Sequence, residues 1–185
     1  MRAARGALER LREGNRRFVG DARTRDTFAD QARRRELAAG QEPFAIILGC
    51  SDSRVPAEIV FDQGLGDLFV IRVAGNIVAP SQIGSVEFAA GRFGTRLVVV
   101  LGHSTCGAIL ATLEELRRPS GDQSRNLRAI VDRIRPSVDR HGSSVLDQLI
   151  KEDGLLVVGA EYSLETGVVD FFDGVPTDNL LGSLD

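Results

Sequence analysis

Residues 44–54 read Phe44-Ala45-Ile46-Ile47-Leu48-Gly49-Cys50-Ser51-Asp52-Ser53-Arg54. The apolar run from Phe44 shows no polar alternation, which is the pattern of a strand buried on both faces. It stops at a cysteine followed by polar, loop-forming residues. A second stretch, Leu97-Val98-Val99-Val100-Leu101-Gly102-His103-Ser104-Thr105-Cys106-Gly107, repeats the arrangement. Each set of polar residues sits where a buried strand stops, and in an open α/β sheet ligands and catalytic groups collect at such ends. The two stretches hold both cysteines of the chain and one of its two histidines.

Working outward, the pattern alternates between helix and strand. Residues 1–20 predict an amphipathic helix, with Leu8, Leu11, Asn15 and Phe18 at three- and four-residue spacing among many arginines. Residues 26–40 predict a second helix, stopped by Gly40. Both look too polar all round to form a core by themselves and are expected to lie across a surface, such as that of a partner subunit. Strands are predicted at 44–49, 68–73, 96–102 and 155–159, and a fifth at 166–172. The short link at 164–167 suits an antiparallel edge strand. Helices are predicted at 55–61, 82–93, 107–116, 127–138 (bent at Pro136) and 145–151. The expected fold is α/β and a single domain. It has a mostly parallel central sheet of four strands plus an antiparallel edge strand, helices on both faces and an N-terminal helical arm.

Composition narrows the class. A length of 185 residues with 43% hydrophobic content suits one domain with a real core. Lys+Arg of 23 against Asp+Glu of 26 gives a net charge of −3, which argues against a nucleic-acid partner. No apolar run approaches the ~20 residues of a membrane span, and residues 1–18 lack a signal-peptide core. A cytoplasmic location is expected. Two cysteines in a reducing compartment are metal ligands or reactive thiols sooner than a disulfide framework.

Two thiolates and one imidazole make a zinc-binding set, and three protein ligands leave a fourth position for water or substrate. His103 and Cys106, three apart at a strand-to-helix turn, can converge on one ion, and Cys50 from a neighbouring strand end completes the trio. Asp52 has two possible uses: it can take the fourth zinc position, or it can pair with Arg54, whose guanidinium holds a carboxylate through two parallel hydrogen bonds. Blander readings exist for each residue. Cysteine is often a small buried residue, two of them can form a redox pair, and an Asp/Arg pair is often structural. His141, among Arg140, Gly142 and Ser143, reads as a solvated loop residue. The combination at two matching strand ends favours the metal site.

With these residues in view, the chain resembles the beta-class carbonic anhydrases. Cys50 to Arg54 is similar to the family's C-x-D-S-R motif, and Gly102 to Gly107 to its G-H-x-x-C-G motif. Arg72-Val73-Ala74-Gly75-Asn76 resembles its R-x-A-G-N segment, and Ser85-Val86-Glu87-Phe88-Ala89 its S-x-E-[YF]-A helix. Gly159-Ala160-Glu161-Tyr162 with Thr166-Gly167 looks like its closing strand and turn. The resemblance implies reversible hydration of carbon dioxide to bicarbonate and a proton by attack of zinc-bound hydroxide. It implies one Zn2+ per subunit on Cys50, His103 and Cys106, with Asp52 and Arg54 as the catalytic dyad and Asp52 as a zinc ligand only in a closed form. The open form is expected near neutral pH. Gln41, Phe69, Phe88 and Gly107 would bind substrate, in a pocket completed across the interface of a homodimer or homotetramer. No membrane or nucleic-acid partner is implied. On this reading 1–40 is the helical arm and 41–185 the zinc-binding catalytic domain, one structural domain overall. At the family's noncatalytic bicarbonate site Arg72 and Tyr162 match, while Ile47 stands at the tryptophan position. Family members also carry a longer segment, with an extra helix, where residues 138–142 bridge abruptly. A zinc-stabilised non-catalytic subunit and a hydrolase of a sulfur analogue of carbon dioxide are the rival functions.

Overall fold

The alternating apolar runs form a five-stranded sheet in the computed structural model, which describes residues 2–23, 31–118, 124–137 and 155–175. In chain order the elements are α1 (Arg2–Val19), α2 (Gln31–Leu37), β1 (Ala45–Gly49), α3 (Ala57–Val60), β2 (Leu68–Arg72), α4 (Pro80–Phe93), β3 (Leu97–His103), α5 (Gly107–Arg117), α6 (Arg125–Ile134), β4 (Leu156–Tyr162) and β5 (Val169–Asp173). The strands lie in the order β2-β1-β3-β4-β5. All pairings are parallel except β4 with β5, which is antiparallel. From β1 the chain steps outward to β2, then crosses back to place β3 on the other side of β1. That reversal opens a crevice at the carboxyl ends of β1 and β3.

Period-two geometry explains why the runs are apolar throughout. Ala45 and Ile47 of β1 join Leu97, Val99 and Leu101 of β3 in one core cluster. Ile46, Leu48 and Val98 point the other way into a second. Helices α1 and α3 cover the first face through Ala7, Leu8, Leu11, Ala57 and Val60. Helix α4 covers the second through Val86, Ala89 and Ala90. Each fully buried Leu, Ile or Val contributes ~1.5–3 kcal/mol of transfer free energy, so both faces need their helices.

The N-terminal helix departs from expectation. The arginine-rich α1 does not need a partner's surface, because Ala4, Ala7, Leu8, Leu11, Gly14 and Asn15 are buried against its own chain. Averaged composition hid a narrow stripe of small and apolar residues. The arginines flank it with their stems on the surface and their heads in water or on partners. The Arg10 guanidinium stacks 3.9 Å from the Phe44 ring centroid and pairs with Asp67 at 2.9 Å. Arg17 pairs with the buried carboxylate of Asp62. Helix α2 buries no residue.

Boundaries shift where tertiary contacts decide. Strands β3 and β4 run on to His103 and Tyr162 because these two residues are ladder partners. Helix α4 begins at Pro80, whose missing N–H costs little in a first turn, and ends at Gly94 with φ 68°. Helix α6 stops at Ile134 and gives way to a 3-10 turn over Arg135–Ser137, the bend expected at Pro136. The helix predicted at 145–151, His141, the bridge at 138–142 and the first residues of the 26–40 helix lie outside the described residues.

Close approach of α1 depends on Gly14, where an added Cβ would fall on the carbonyl oxygen of Phe61. Gly14→Ala should therefore destabilise the fold by about 1–3 kcal/mol despite alanine's better helix propensity. Urea unfolding of the two proteins checks this, and a stabilised variant would mean that the helix sits farther out.

Candidate active site

Parallel pairing of β1 with β3, with Gly49 opposite Leu101, sends both chains into the same crevice. Cys50 is the first residue after β1, and His103 is the last of β3. Thr105 takes φ 52°, a left-handed conformation costly for a β-branched residue, and this reverses the chain after the strand. Cys106 then caps α5. The Sγ atoms of Cys50 and Cys106 lie 3.9 Å apart. With a nitrogen of His103, the donor atoms all fall within 4.8 Å of one another, and all three residues are buried.

Main-chain groups orient this trio. The Gly75 N–H donates to Cys50 Sγ at 3.3 Å. Gly75 follows β2 with φ 69°, and a Cβ there would press on Ile134 and Ala108, so glycine is required. Arg72 donates to the carbonyls of Cys50 (2.9 Å) and Asp52 (2.6 Å), clamping the loop between them. His103 Nδ1 lies 3.0 Å from the Ser104 carbonyl oxygen. A carbonyl can only accept, so Nδ1 carries the proton and Nε2 keeps its lone pair. That Nε2 is buried and has no hydrogen-bond partner among the described residues. Burial pushes the Cys106 thiol above its ordinary pKa and the nearby Cys50 adds to this, against the opposing pull of the Ile109 and Ala108 amides.

Asp52 stands at the rim, its Oδ2 3.9 Å from His103 Nε2. Arg54 grips both carboxylate oxygens, Nε to Oδ1 at 2.9 Å and the terminal nitrogen to Oδ2 at 2.7 Å. The Arg54 backbone N–H adds a third bond to Oδ1 at 3.0 Å. The Arg54 side-chain bonds, then its amide, hold the Asp52 carboxyl well below the usual carboxylate range, against a small opposing effect of burial. The same guanidinium reaches the Thr105 carbonyl at 3.5 Å, so one side chain spans both loops.

The donor set fits zinc. Tetrahedral coordination with Zn–S of 2.3 Å requires sulfurs about 3.8 Å apart, against the 3.9 Å found. The unpartnered imidazole lone pair supplies a third donor, and a buried thiol pair has few other ways to be satisfied.

Three of the four expected substrate residues are not with this trio inside one chain. Gln41 is exposed and precedes β1, at the opposite end of that strand from Cys50. Phe69 is the ladder partner of Ile46, four residues from Cys50 and thus about 13 Å along the strand. Phe88 is 56% exposed and packs 6.3 Å from Phe69, ring to ring. Gly107 does adjoin the site as the first residue of α5. Ile47 is fully buried in the core, and Tyr162 is buried opposite His103. Sequence reasoning missed the supporting roles of Gly75, Arg72 and Ser104. The available signal was the Arg72–Asn76 segment, which places a glycine three residues past the end of β2.

The carbonic anhydrase family model matches residues 45–148. Carbonic anhydrase 2 of Mycobacterium tuberculosis is 39% identical, over 87% of this chain and 89% of that protein. A tetrameric beta-carbonic anhydrase of the ascomycete Sordaria macrospora superposes with a TM-score of 0.58 at 25% identity, covering 76% of this chain and 85% of that one. The beta-carbonic anhydrase of Coccomyxa, at 23% identity, shares the fold with a TM-score of 0.63 over 86% of this chain and 83% of that one. The chain belongs to the beta-class carbonic anhydrase family, whose general activity is carbon dioxide hydration. Among the described residues, no helix is long and apolar enough to cross a membrane.

The depressed Asp52 pKa has a defined sign. The pairing contributes above the unfolded carboxylate value of ~3.9 and is lost only as pH falls through the lower folded value. Arg54→Ala should move the Asp52 titration upward, toward the ordinary range. Carboxyl NMR of the metal-free protein reads it, and an unmoved titration would mean that Arg54 does not hold the charge.

Proposed function

We propose that this chain catalyses CO2 + H2O ⇌ HCO3− + H+, with one zinc ion per subunit held by Cys50, His103 and Cys106. The observation carrying this is the buried trio itself, two sulfurs 3.9 Å apart and an unpartnered imidazole nitrogen, beside an arginine-paired carboxylate. When bound, zinc lowers the pKa of a water toward ~7 and so supplies a nucleophile near neutral pH.

The residues of the chain do the rest. Arg54 keeps Asp52 ionised, and an ionised carboxylate only accepts hydrogen bonds. Asp52 would therefore accept a hydrogen bond from the attacking oxygen, which leaves a lone pair of that oxygen free for carbon. Both of its oxygens bond Arg54, which suits the open arrangement; released from Arg54, the carboxylate would be free to become a fourth ligand. The Gly107 amide, in the first turn of α5, would suit an anionic product at the helix's positive end. Carbon dioxide is apolar, and Phe69 and Phe88 suit it. Because these two and Gln41 lie far from the trio within one chain, we assign the pocket to an interface, completed by a second copy. Gln41 there donates its amide N–H to bicarbonate. Free thiols need a reducing compartment, so we place the protein in the cytoplasm.

The metal-replete protein should contain about one zinc per chain by elemental analysis and should hydrate carbon dioxide in stopped flow. No activity between pH 7 and 9 at full zinc content would sink the assignment. Asp52→Asn should keep the zinc yet lower turnover about 100-fold; unchanged turnover would remove Asp52 from the mechanism. Carbonyl sulfide and carbon disulfide, assayed beside carbon dioxide, separate the related hydrolase.

Zinc uptake must displace the thiol protons, so it should release protons and weaken as pH falls. Calorimetry in buffers of different ionisation enthalpy measures this. Phe88→Asp should dissociate the assembly and lose activity together, whereas a fully active monomer in light scattering would place the whole pocket in one chain.

A further inference from the structure

The turn between β4 and β5 takes no part in the chemistry above, yet it is bonded to the metal centre. Ser104 directly follows His103 and is held at three points. Its N–H donates to the Tyr162 carbonyl at 3.0 Å, and its hydroxyl accepts from the Leu164 N–H at 3.0 Å. Its own carbonyl lies 3.0 Å from His103 Nδ1. The turn is closed on itself by Ser163 N–H to Val168 O and Gly167 N–H to Ser163 O, both 2.9 Å.

The far side of this turn is held by α1. Asn15 is 5% exposed. Its Nδ2 donates to Gly167 O at 2.9 Å and to Val60 O at 3.1 Å. Its Oδ1 accepts from the Val169 N–H at 2.9 Å. Both ends of one amide are thus used on main-chain groups of the turn and the start of β5, with a further bond to the end of α3. A leucine of similar size would leave the Val60 carbonyl and the Val169 N–H buried and unpaired, and the half-buried Gly167 carbonyl without this donor.

We propose that Ser104 and Asn15 are positioning residues of the metal centre. Through the β4–β5 turn they hold the carbonyl that fixes the tautomer and ring rotation of His103, so metal retention is set in part from the N-terminal helix. This rests on the assignment of Cys50, His103 and Cys106 as zinc ligands. Groups that orient a ligating histidine from behind change metal affinity by about 10–100-fold when removed, which sets the size of the effect.

The test uses the full chain with Ser104→Ala, Ser104→Thr, Asn15→Leu and the double variant Asn15→Leu/Ser104→Ala. Three quantities are read: the rate of zinc transfer to a chelator, the visible spectrum of the cobalt-substituted protein, and the unfolding midpoint of the metal-free protein. Ser104→Ala should release zinc about 10-fold faster and shift the cobalt bands, and Ser104→Thr, which keeps the hydroxyl, should restore both. Asn15→Leu should act in the same direction, and the double variant should release zinc no faster than the more affected single one, as expected for residues acting through one path. Should Asn15→Leu fail to fold, the two Ser104 variants decide alone. A normal cobalt spectrum and zinc release in Ser104→Ala, whatever its unfolding midpoint, would overturn the inference. A wild type that takes up neither metal overturns the zinc assignment and this inference with it; a wild type that loads normally beside an unaltered Ser104→Ala overturns this inference alone.

Discussion

Everything at the site depends on β1 and β3 being parallel neighbours in the middle of the sheet. Parallel neighbours end on the same side, and their next residues emerge a strand's width apart, ~4.8 Å. That spacing suits two ligands of one small ion. Had the chain placed β2 between them, Cys50 and His103 would have been separated by about twice that distance. The crossover from β2 back over the sheet is therefore what turns two loops into one centre. The helices enforce it, since each covers apolar residues contributed by both strands.

The electrostatic design has two layers. Around the buried sulfurs the protein supplies main-chain dipoles: the Gly75 amide on Cys50, and the first amides of α5 on Cys106. At the rim it supplies a full countercharge, Arg54 on Asp52. These amides carry no formal charge, and burial outweighs them at Cys106, whose thiol is pushed above its ordinary pKa. A fixed guanidinium instead keeps one carboxylate charged at any ordinary pH. Arg54 engages both carboxylate oxygens, with three hydrogen bonds in all.

Much of this was legible because burial on both faces writes itself as uninterrupted Ile, Val and Leu, and because both cysteines follow such runs. Element ends were less legible. His103 and Tyr162 look like loop residues in isolation and become strand only through each other. The mean polarity of α1 concealed a stripe that works through small residues, and Ala4, Ala7 and Gly14 carry little hydrophobic signal. Gly75, Arg72 and Ser104 act on or through backbone atoms, and a main-chain contact leaves almost no trace in residue type. Gln41, Phe69 and Phe88 were nominated by resemblance alone, and nothing in their local sequence points to the crevice.

Cys50 and Cys106 are separated by 56 positions, whereas His103 and Cys106 are three apart. His103 and Cys106 are therefore a local pair of donors, whereas Cys50 reaches them only through tertiary structure. The third arrives only when β1 has docked on β3, a contact between distant parts of the chain whose loop must close first. Full coordination thus reports that the central sheet is assembled, and a chain arrested earlier offers a weak, two-donor site.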